Sequence, residues 1–532
     1  MERNASLASV AQRATPYDLI VIGGGATGAS VALDAATRGL SVLLLEQSDF
    51  GKGTSSRSTK LIHGGVRYLA QGNLSLVRGA LRERSRLRAN APHLVRERMF
   101  LVPYLNRLQH AWYRLGFMLY DRLAASREFR KSRSLSSVEC RTLVPTLRAE
   151  HAGSGVLYSD GQFDDCRLLI SLLQTADRHG ATVLNYARVT GFDHSLGGRL
   201  KGLHFTDEEN GTSYCVAARA MINAAGPFVD QIRAMDLADV EPMLALSQGV
   251  HIVLPSAFLP GDTAVIVPRT RDGRVIFMIP WHDHTLVGTT DTPIHDASVE
   301  PRAQPEEIQL LLATVGEYLN VSPNPSDIQS IFVGIRPLIR PRGRHASTAG
   351  LSRDHVIARS ASGLITISGG KWTTARKMGE DAVDAAIASA SLPHGPCVTA
   401  TLRLHGAPAA DDRRAQDSVY GTDVDLLDGL AKRNPDLNAP LIDGFPIRGA
   451  EVVWAVEREM ARTVEDVLAR RTRLLFVSAS AAKKAAPYVA RWMAEYLGHD
   501  EGWQHAQVTA FSQLADSYCE LPATTRAAGL KS

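Results

Sequence analysis

The chain has 532 residues, is 45% hydrophobic and 21% charged, and carries a formal net charge of +4. That length exceeds what one hydrophobic core organises and suggests about three domains. The apolar content excludes general disorder, and the near balance of charge calls for no nucleic-acid partner.

Residues 1–16 read as a short disordered tail, with two arginines and scattered serines but no compact apolar stretch. Residues 18–22 form a short β-branched apolar run suited to a buried parallel strand. The sequence Gly23-Gly24-Gly25-Ala26-Thr27-Gly28 follows at once and fits GxGxxG. A small-residue helix is expected over 29–38, stopped by Gly39. A second apolar strand, 41–45, ends at Glu46, 18 residues beyond Gly28. In such a unit Gly23 permits the tight turn, Gly25 admits a pyrophosphate close to the backbone, and Gly28 lets helix and strand pack. The helix N-terminus offers its N–H groups to the phosphates. Glu46 is placed to accept hydrogen bonds from a ribose, which disfavours a 2′-phosphate. The unit alone does not separate NAD from FAD.

Residues 51–69 place five hydroxyls (Thr54, Ser55, Ser56, Ser58 and Thr59) ahead of Lys60, Leu61, His63, Gly64, Gly65, Arg67 and Tyr68. Composition alone describes a solvated loop, but it lies beyond the carboxyl end of a strand, where open α/β sheets bind ligands. Residues 181–184 and 221–226 read as further strands of this unit, with Ala225 and Gly226 at a Gly-Pro turn. Strands are also expected at 251–254, 264–267, 275–279 and 285–287, with turns at Gly261-Asp262 and Asp272-Gly273. Asp164 and Asp165 open a helix whose N-terminus they favour, and Asp291 either bonds within a site or caps a turn. Residues 354–368 read as two strands around a Ser-Gly turn. They feed Gly369-Gly370-Lys371-Trp372-Thr373-Thr374 and a helix to about Ser391. A linker texture near 392–396 precedes a mostly helical remainder, where 451–461 and 464–471 read as helices and Thr463 with Asp466 has capping-box spacing.

The cysteines Cys140, Cys166, Cys215, Cys397 and Cys519 are scattered and never form CxxC, and no HExxH occurs. The spacing therefore supports no metal site and fits a reducing compartment. No apolar run of about 18 residues predicts a spanning helix.

The motifs KLIHGGVRYL (60–69), GQFDDCRL (161–168), AAGPFVD (224–230), VGIRPL (333–338) and GGKWTT (369–374) stand in one order along the chain. Together they resemble the FAD-dependent glycerol-3-phosphate dehydrogenases, within the glycine-oxidase and D-amino-acid-oxidase type of flavoprotein fold. The resemblance runs from Tyr17 to about Ala390 and, more weakly, through 459–474. Trp372 departs from it, since a leucine is usual after the lysine. The implied fold is α/β: a Rossmann-type FAD-binding domain (17–90, 150–245 and 340–395), an interleaved sheet-based substrate domain (91–149 and 246–339), and a C-terminal helical domain (396–532).

The resemblance implies FAD held by Gly23, Gly25, Gly28, Glu46, Thr54, Ser55, Ser58, Thr59, Lys60, Leu61, His63, Gly64, Gly65, Val189, Ala225, Gly226, Gly370, Lys371 and Thr373. Arg67, Tyr68, Lys371 and Arg336 would bind substrate, and Arg336, His63, His251 and Lys371 would serve the chemistry. The implied reaction oxidises sn-glycerol 3-phosphate to dihydroxyacetone phosphate and passes electrons to a membrane quinone. An oxygen-using oxidase, an amino-acid oxidase and a noncatalytic nucleotide-binding scaffold are the alternatives. A homodimer is a candidate assembly, and the expected place is cytoplasmic, on the inner face of a membrane. Residues 78–133 carry fourteen Arg and Lys against four Asp and Glu. Leu105, Leu108, Trp112, Leu115, Phe117, Met118, Tyr120 and Leu123 interleave with Arg107, Arg114 and Arg122, a pattern suited to an anionic membrane surface or to a basic face over ordinary core.

Overall fold

The computed structural model describes residues 1–65, 73–104, 107–124, 129–268, 270, 273–340 and 354–521, with the side chains of 107–110 and 112 excepted. The strand Tyr17–Ile22 buries Leu19, Ile20 and Val21 completely, each contributing about 1.5–3 kcal/mol. It lies at the centre of an eight-stranded sheet, in parallel between Val42–Leu45 and Ser213–Asn223. Thr182–Leu184 extends one side, and Ile365–Gly369 with His355–Arg359 the other. A meander of Ala187–His194 and Leu200–Asp207 pairs antiparallel with the first half of Ser213–Asn223. Helix Ala26–Thr37 packs on helix Ala375–Ala390 through small residues, since a Cβ on Gly379 would lie 2.6 Å from the Ser30 backbone. Segments more than 300 residues apart thereby share one layer.

A ten-stranded sheet forms the second layer, built around the long antiparallel pair Leu244–Pro255 and Ser330–Ile339. It includes Thr263–Val267, Ile276–Trp281 and His284–Gly288, close to the expected strands. Asp272 of the expected turn lies outside the described residues. Ser154–Phe163 also belongs here, paired with Val95–Pro103, although the sequence grouped it with the nucleotide-binding segments. It is buried along nearly its whole length, and such a strand carries no alternation to say which sheet it joins.

Residues Arg3–Gln12 form a helix, which corrects the expected disordered tail. It is anchored both by Val10, buried in the core, and by the buried Arg3 guanidinium, which donates to Asp207, Glu209 and the Asn185 carbonyl. Beyond residue 396 the chain is chiefly helical, with Gly449–Glu459, Ala479–Leu497 and Glu501–Cys519 around a small hairpin of Pro440–Ile442 and Phe445–Arg448. Thr463 and Asp466 form the reciprocal cap, although Asp466–Arg471 winds as a wider π-type turn. Among the described residues no helix is long and apolar enough to cross a membrane.

Candidate active site

A cleft of about 1270 Å³ is lined from both sheets. Gly23 turns at φ 111°, and a Cβ there would lie 2.6 Å from Ala224 O. Gly28 takes no part in the lining; a Cβ on it would stand 1.8 Å from Gly23 O, so its role is to let the helix close on the turn. Helix Ala26–Thr37 begins at Gly25, which offers no capping side chain, and has no acid in its first turn; only its first N–H is taken, by the Ser55 hydroxyl. Gly25, Ala26 and Thr27 face the cleft, so the positive end of the helix is directed into it. Glu46 accepts from Gly24 N at 2.7 Å and Ser48 N at 3.0 Å. Burial pushes its carboxyl upward against those two bonds. An open helix end, a glycine cradle and an acid at the second strand end fit a dinucleotide with a 2′-hydroxyl.

The hydroxyl-rich loop follows the cleft wall. Ser55 Oγ accepts from Ala26 N at 2.9 Å, and Thr54 Oγ1 donates to Ile335 O at 2.6 Å. Trp372 Nε1 donates to Ser55 O at 2.9 Å, so the larger ring at this position ties the late segment to the loop. Thr373 Oγ1 lies 3.2 Å from His63 N and 3.4 Å from His63 O. Ser58, Thr59, Leu61, His63, Gly65, Val189, Ala225, Gly226, Gly370 and Lys371 also line the cleft.

Besides Gly28, two expected contacts fall elsewhere. The Lys60 side chain is fully buried away from the cleft, 2.6 Å from Asp165 and 2.6 Å from Ser56 O. Burial and the neighbouring Arg473 push its ammonium down to about 8, against the pull of Asp165. Gly64 is also off the lining; its N–H donates at 3.0 Å to Tyr120 OH, which donates at 2.7 Å to Asp160. Arg67 and Tyr68 lie outside the described residues.

Facing the loop, the second sheet presents His251 and Arg336. His251 Nε2 is 2.9 Å from Thr59 Oγ1, and its ring stacks on Phe332. Burial, with Lys60 and Arg336 nearby, holds the imidazole well below its usual range, so it is neutral near neutral pH. Arg336 donates to Thr289 Oγ1 at 3.1 Å, Thr290 O at 3.0 Å and Gln248 O at 3.3 Å, with Asp291 Oδ1 at 3.4 Å. Asp291 also accepts from Ser247, and it lines the cleft: it bonds within the site rather than capping a remote turn.

Sequence reading missed the residues that grip the loop from the C-terminal region. Arg471 donates to both oxygens of Asp49, at 2.8 and 2.9 Å, and Arg470 adds a 2.5 Å bond. Asp49 is buried, which works against its charge, but Arg471 and Arg470 hold its carboxyl below the usual range. Lys52 pairs with Glu465 at 2.8 Å. Arg473 donates to Ser56 O at 3.0 Å and to Asp165 at 2.9 Å. Asp165 therefore does more than favour a helix end; it joins Ser58, Lys60 and Arg473. The arginine-rich run at 470–473 was the one available hint.

Residues 18–376 match the FAD dependent oxidoreductase family, and residues 397–504 match the C-terminal domain of alpha-glycerophosphate oxidase. The fold and cleft define a flavin-dependent oxidoreductase. The mitochondrial glycerol-3-phosphate dehydrogenase of Arabidopsis thaliana is 39% identical over 95% of this chain and 86% of its own. The human mitochondrial glycerol-3-phosphate dehydrogenase is 38% identical over 94% of this chain and 73% of its own. Among solved structures, the glycerol-3-phosphate dehydrogenase of Bacillus halodurans complexed with FAD superposes with a TM-score of 0.79 at 29% identity, covering 97% of each chain. The chain belongs to the FAD-dependent glycerol-3-phosphate dehydrogenase family.

Proposed function

We propose that the cleft oxidises sn-glycerol 3-phosphate at C2 to dihydroxyacetone phosphate and that the electrons leave to a quinone at a membrane surface. The observation that carries this reading is the convergence of Arg336, His251, His63 and Lys371 on the cleft that holds the dinucleotide cradle. The flavin, when bound, supplies the two-electron acceptor for the C2 hydrogen. The alcohol proton goes to a base, and neutral His251 is the buried imidazole in reach of the site. Arg336, fixed by four oxygen partners, stabilises negative charge developing on the C2 oxygen. Lys371 and Arg67 anchor the phosphate, which sets the pose of C2.

The membrane part of the proposal rests on helix Arg107–Ala124. Leu115, Met118 and Leu119 are 64%, 47% and 38% exposed along one stripe, flanked by exposed Arg114 and Arg122. Leu115 and Leu119 also line the cleft, as do Tyr113 and Gly116, so an apolar stripe on the surface continues into the site. Such a stripe beside arginines suits an anionic interface. Phe117 and Tyr120, grouped with that surface by the sequence, are instead 3% and 2% exposed. Both stripes of the helix are apolar, and only packing decides which one faces inward.

The test is anaerobic. Glycerol 3-phosphate is expected to bleach the visible flavin absorption, and a quinone analogue to restore it faster than oxygen does. Peroxide released as fast in air as the quinone is reduced would identify an oxidase instead. A flavin left unbleached by the substrate would overturn the substrate assignment.

A further inference from the structure

On the outer face of the meander, three neighbouring strands bring Asp193, His204 and Cys215 together. His204 stands directly opposite Cys215 across one strand pair and opposite Gly191 across the other, while Asp193 faces Gly202. His204 Nε2 is 3.0 Å from Asp193 Oδ1, and Cys215 Sγ is 3.2 Å from Asp193 Oδ2. One donor atom from each residue lies within 4.8 Å of the other two.

The rest of the patch is arranged around these donors. Gly191, Gly202 and Ala217 are the small residues paired beside the three side chains, and the Lys201 ammonium is near enough to act on both Asp193 and Cys215. At Gly202 a Cβ would come 2.7 Å from Val216 O and 3.4 Å from Asp193 Oδ2. Strand Ala187–His194 shifts register on both sides of Asp193, between Val189 and Gly191 and again at Asp193/His194. Such bulges re-aim side chains. Leu203, Phe205 and Val216 on the opposite face are packed in the core, which makes the platform rigid.

We propose that Asp193, His204 and Cys215 form a binding site for a divalent transition metal of the zinc class, with a thiolate, an imidazole nitrogen and a carboxylate oxygen as ligands and water in the fourth position. A mixed S, N and O donor set suits zinc, whereas calcium and magnesium take oxygen ligands. Tetrahedral ligands about 2.0–2.3 Å from zinc stand roughly 3.3–3.8 Å apart. The two separations to the Asp193 carboxylate, 3.0 Å from His204 and 3.2 Å from Cys215, need to open by only a few tenths of an ångström, and all three donors already lie within 4.8 Å of one another. Side-chain exposures of 46% for His204 and 30% for Asp193 leave the site open to solvent. Binding displaces the proton that Cys215 now donates to Asp193 and requires His204 Nε2 to be unprotonated, so affinity rises with pH. None of the three residues lines the cleft; the metal would fasten three strands without touching the redox chemistry.

The test uses the FAD-loaded protein. Equilibrium dialysis against low-micromolar zinc is expected to leave one equivalent per chain, and Cys215→Ser or His204→Ala to weaken binding at least tenfold. Cys519→Ser, which removes another exposed thiol, should change nothing. Cobalt should give tetrahedral d–d bands to the red of the flavin absorption, bleached by added zinc. Zinc should raise the melting temperature of the wild type but not of Cys215→Ser. An unchanged flavin spectrum in each variant verifies the fold. Zinc retained by Cys215→Ser, or no zinc on the wild type, would overturn the proposal.

Discussion

Arg473 Nη2 lies 2.9 Å from Asp165 Oδ1, joining the C-terminal region to the residue that also holds Lys60 and Ser58 of the cofactor loop. All of these charges are buried, so neither partner can turn to water when the other is lost. Arg473→Ala is expected to destabilise the protein by about 3–5 kcal/mol, the usual cost of breaking a buried pair. FAD should be lost on dialysis before the chain unfolds. Wild-type melting and full FAD retention would remove the clamp from the account.

Glu465 gives that clamp a pH dependence. Burial works against its charge, but Arg470 and Lys52 outweigh it and pull the carboxyl down to about 2 from an ordinary 4.5. Below pH 4.5 the unfolded chain takes up a proton that the folded one refuses, so this contribution is complete above 4.5 and is lost toward 2. It is on the order of 3 kcal/mol. The melting-temperature gap between wild type and Glu465→Gln should be widest near neutrality and narrow below about pH 4.5. A gap independent of pH would contradict the assignment.

Arg336→Ala should lower kcat by about 10²–10³-fold while FAD stays bound, since its loss removes charge stabilisation and not the cradle. Asp291→Asn should cost less, because Arg336 keeps Gln248 O, Thr289 and Thr290 O. Equal losses in the two variants would mean that Asp291 acts directly.

The downward push on His251 predicts where activity fails in acid. With burial, Lys60 and Arg336 all disfavouring the imidazolium, the acid limb of kcat/KM should lie well below the ordinary 6.5. Thr59→Val should move that limb by removing the 2.9 Å hydroxyl contact. A limb centred near 6.5 in both proteins would rule His251 out as the base.

Replacing Leu115, Met118 and Leu119 by serine should abolish sedimentation with anionic liposomes and lower quinone reduction more than dye reduction. Phe117→Ser should instead cost about 3 kcal/mol or more of stability, as a core truncation does. Equal loss with both acceptors in the triple variant would leave the helix merely structural.

The dinucleotide unit was legible because strand, glycine turn, helix and acid are contiguous, so Gly23, Gly25 and Glu46 could be placed from spacing alone. The clamp was not, since Asp49 meets Arg470 and Arg471 across more than 400 residues and no local pattern marks such a pair. Lys60 sits in a recognisable motif, yet its positive φ and Asp165 turn it away from the cleft. Helix Arg107–Ala124 shows a further limit: with two apolar stripes, sequence alone could not separate Phe117 from Leu119. Asp193, His204 and Cys215 escaped for a related reason. Each lies on a different strand, and only the pairing register brings them together.

The contribution of Arg470, Arg471 and Arg473 to the loop around Asp49 and Ser56 sets an order of events in the cell. During synthesis the glycine turn leaves the ribosome hundreds of residues before those arginines exist. Until they arrive, the buried carboxylates of Asp49 and Asp165 have no complete set of counter-charges. A nascent chain can thus form its first strand and helix early, but durable capture of the flavin waits until residues 470–473 have been made, and a chain cut short before them is expected to be colourless.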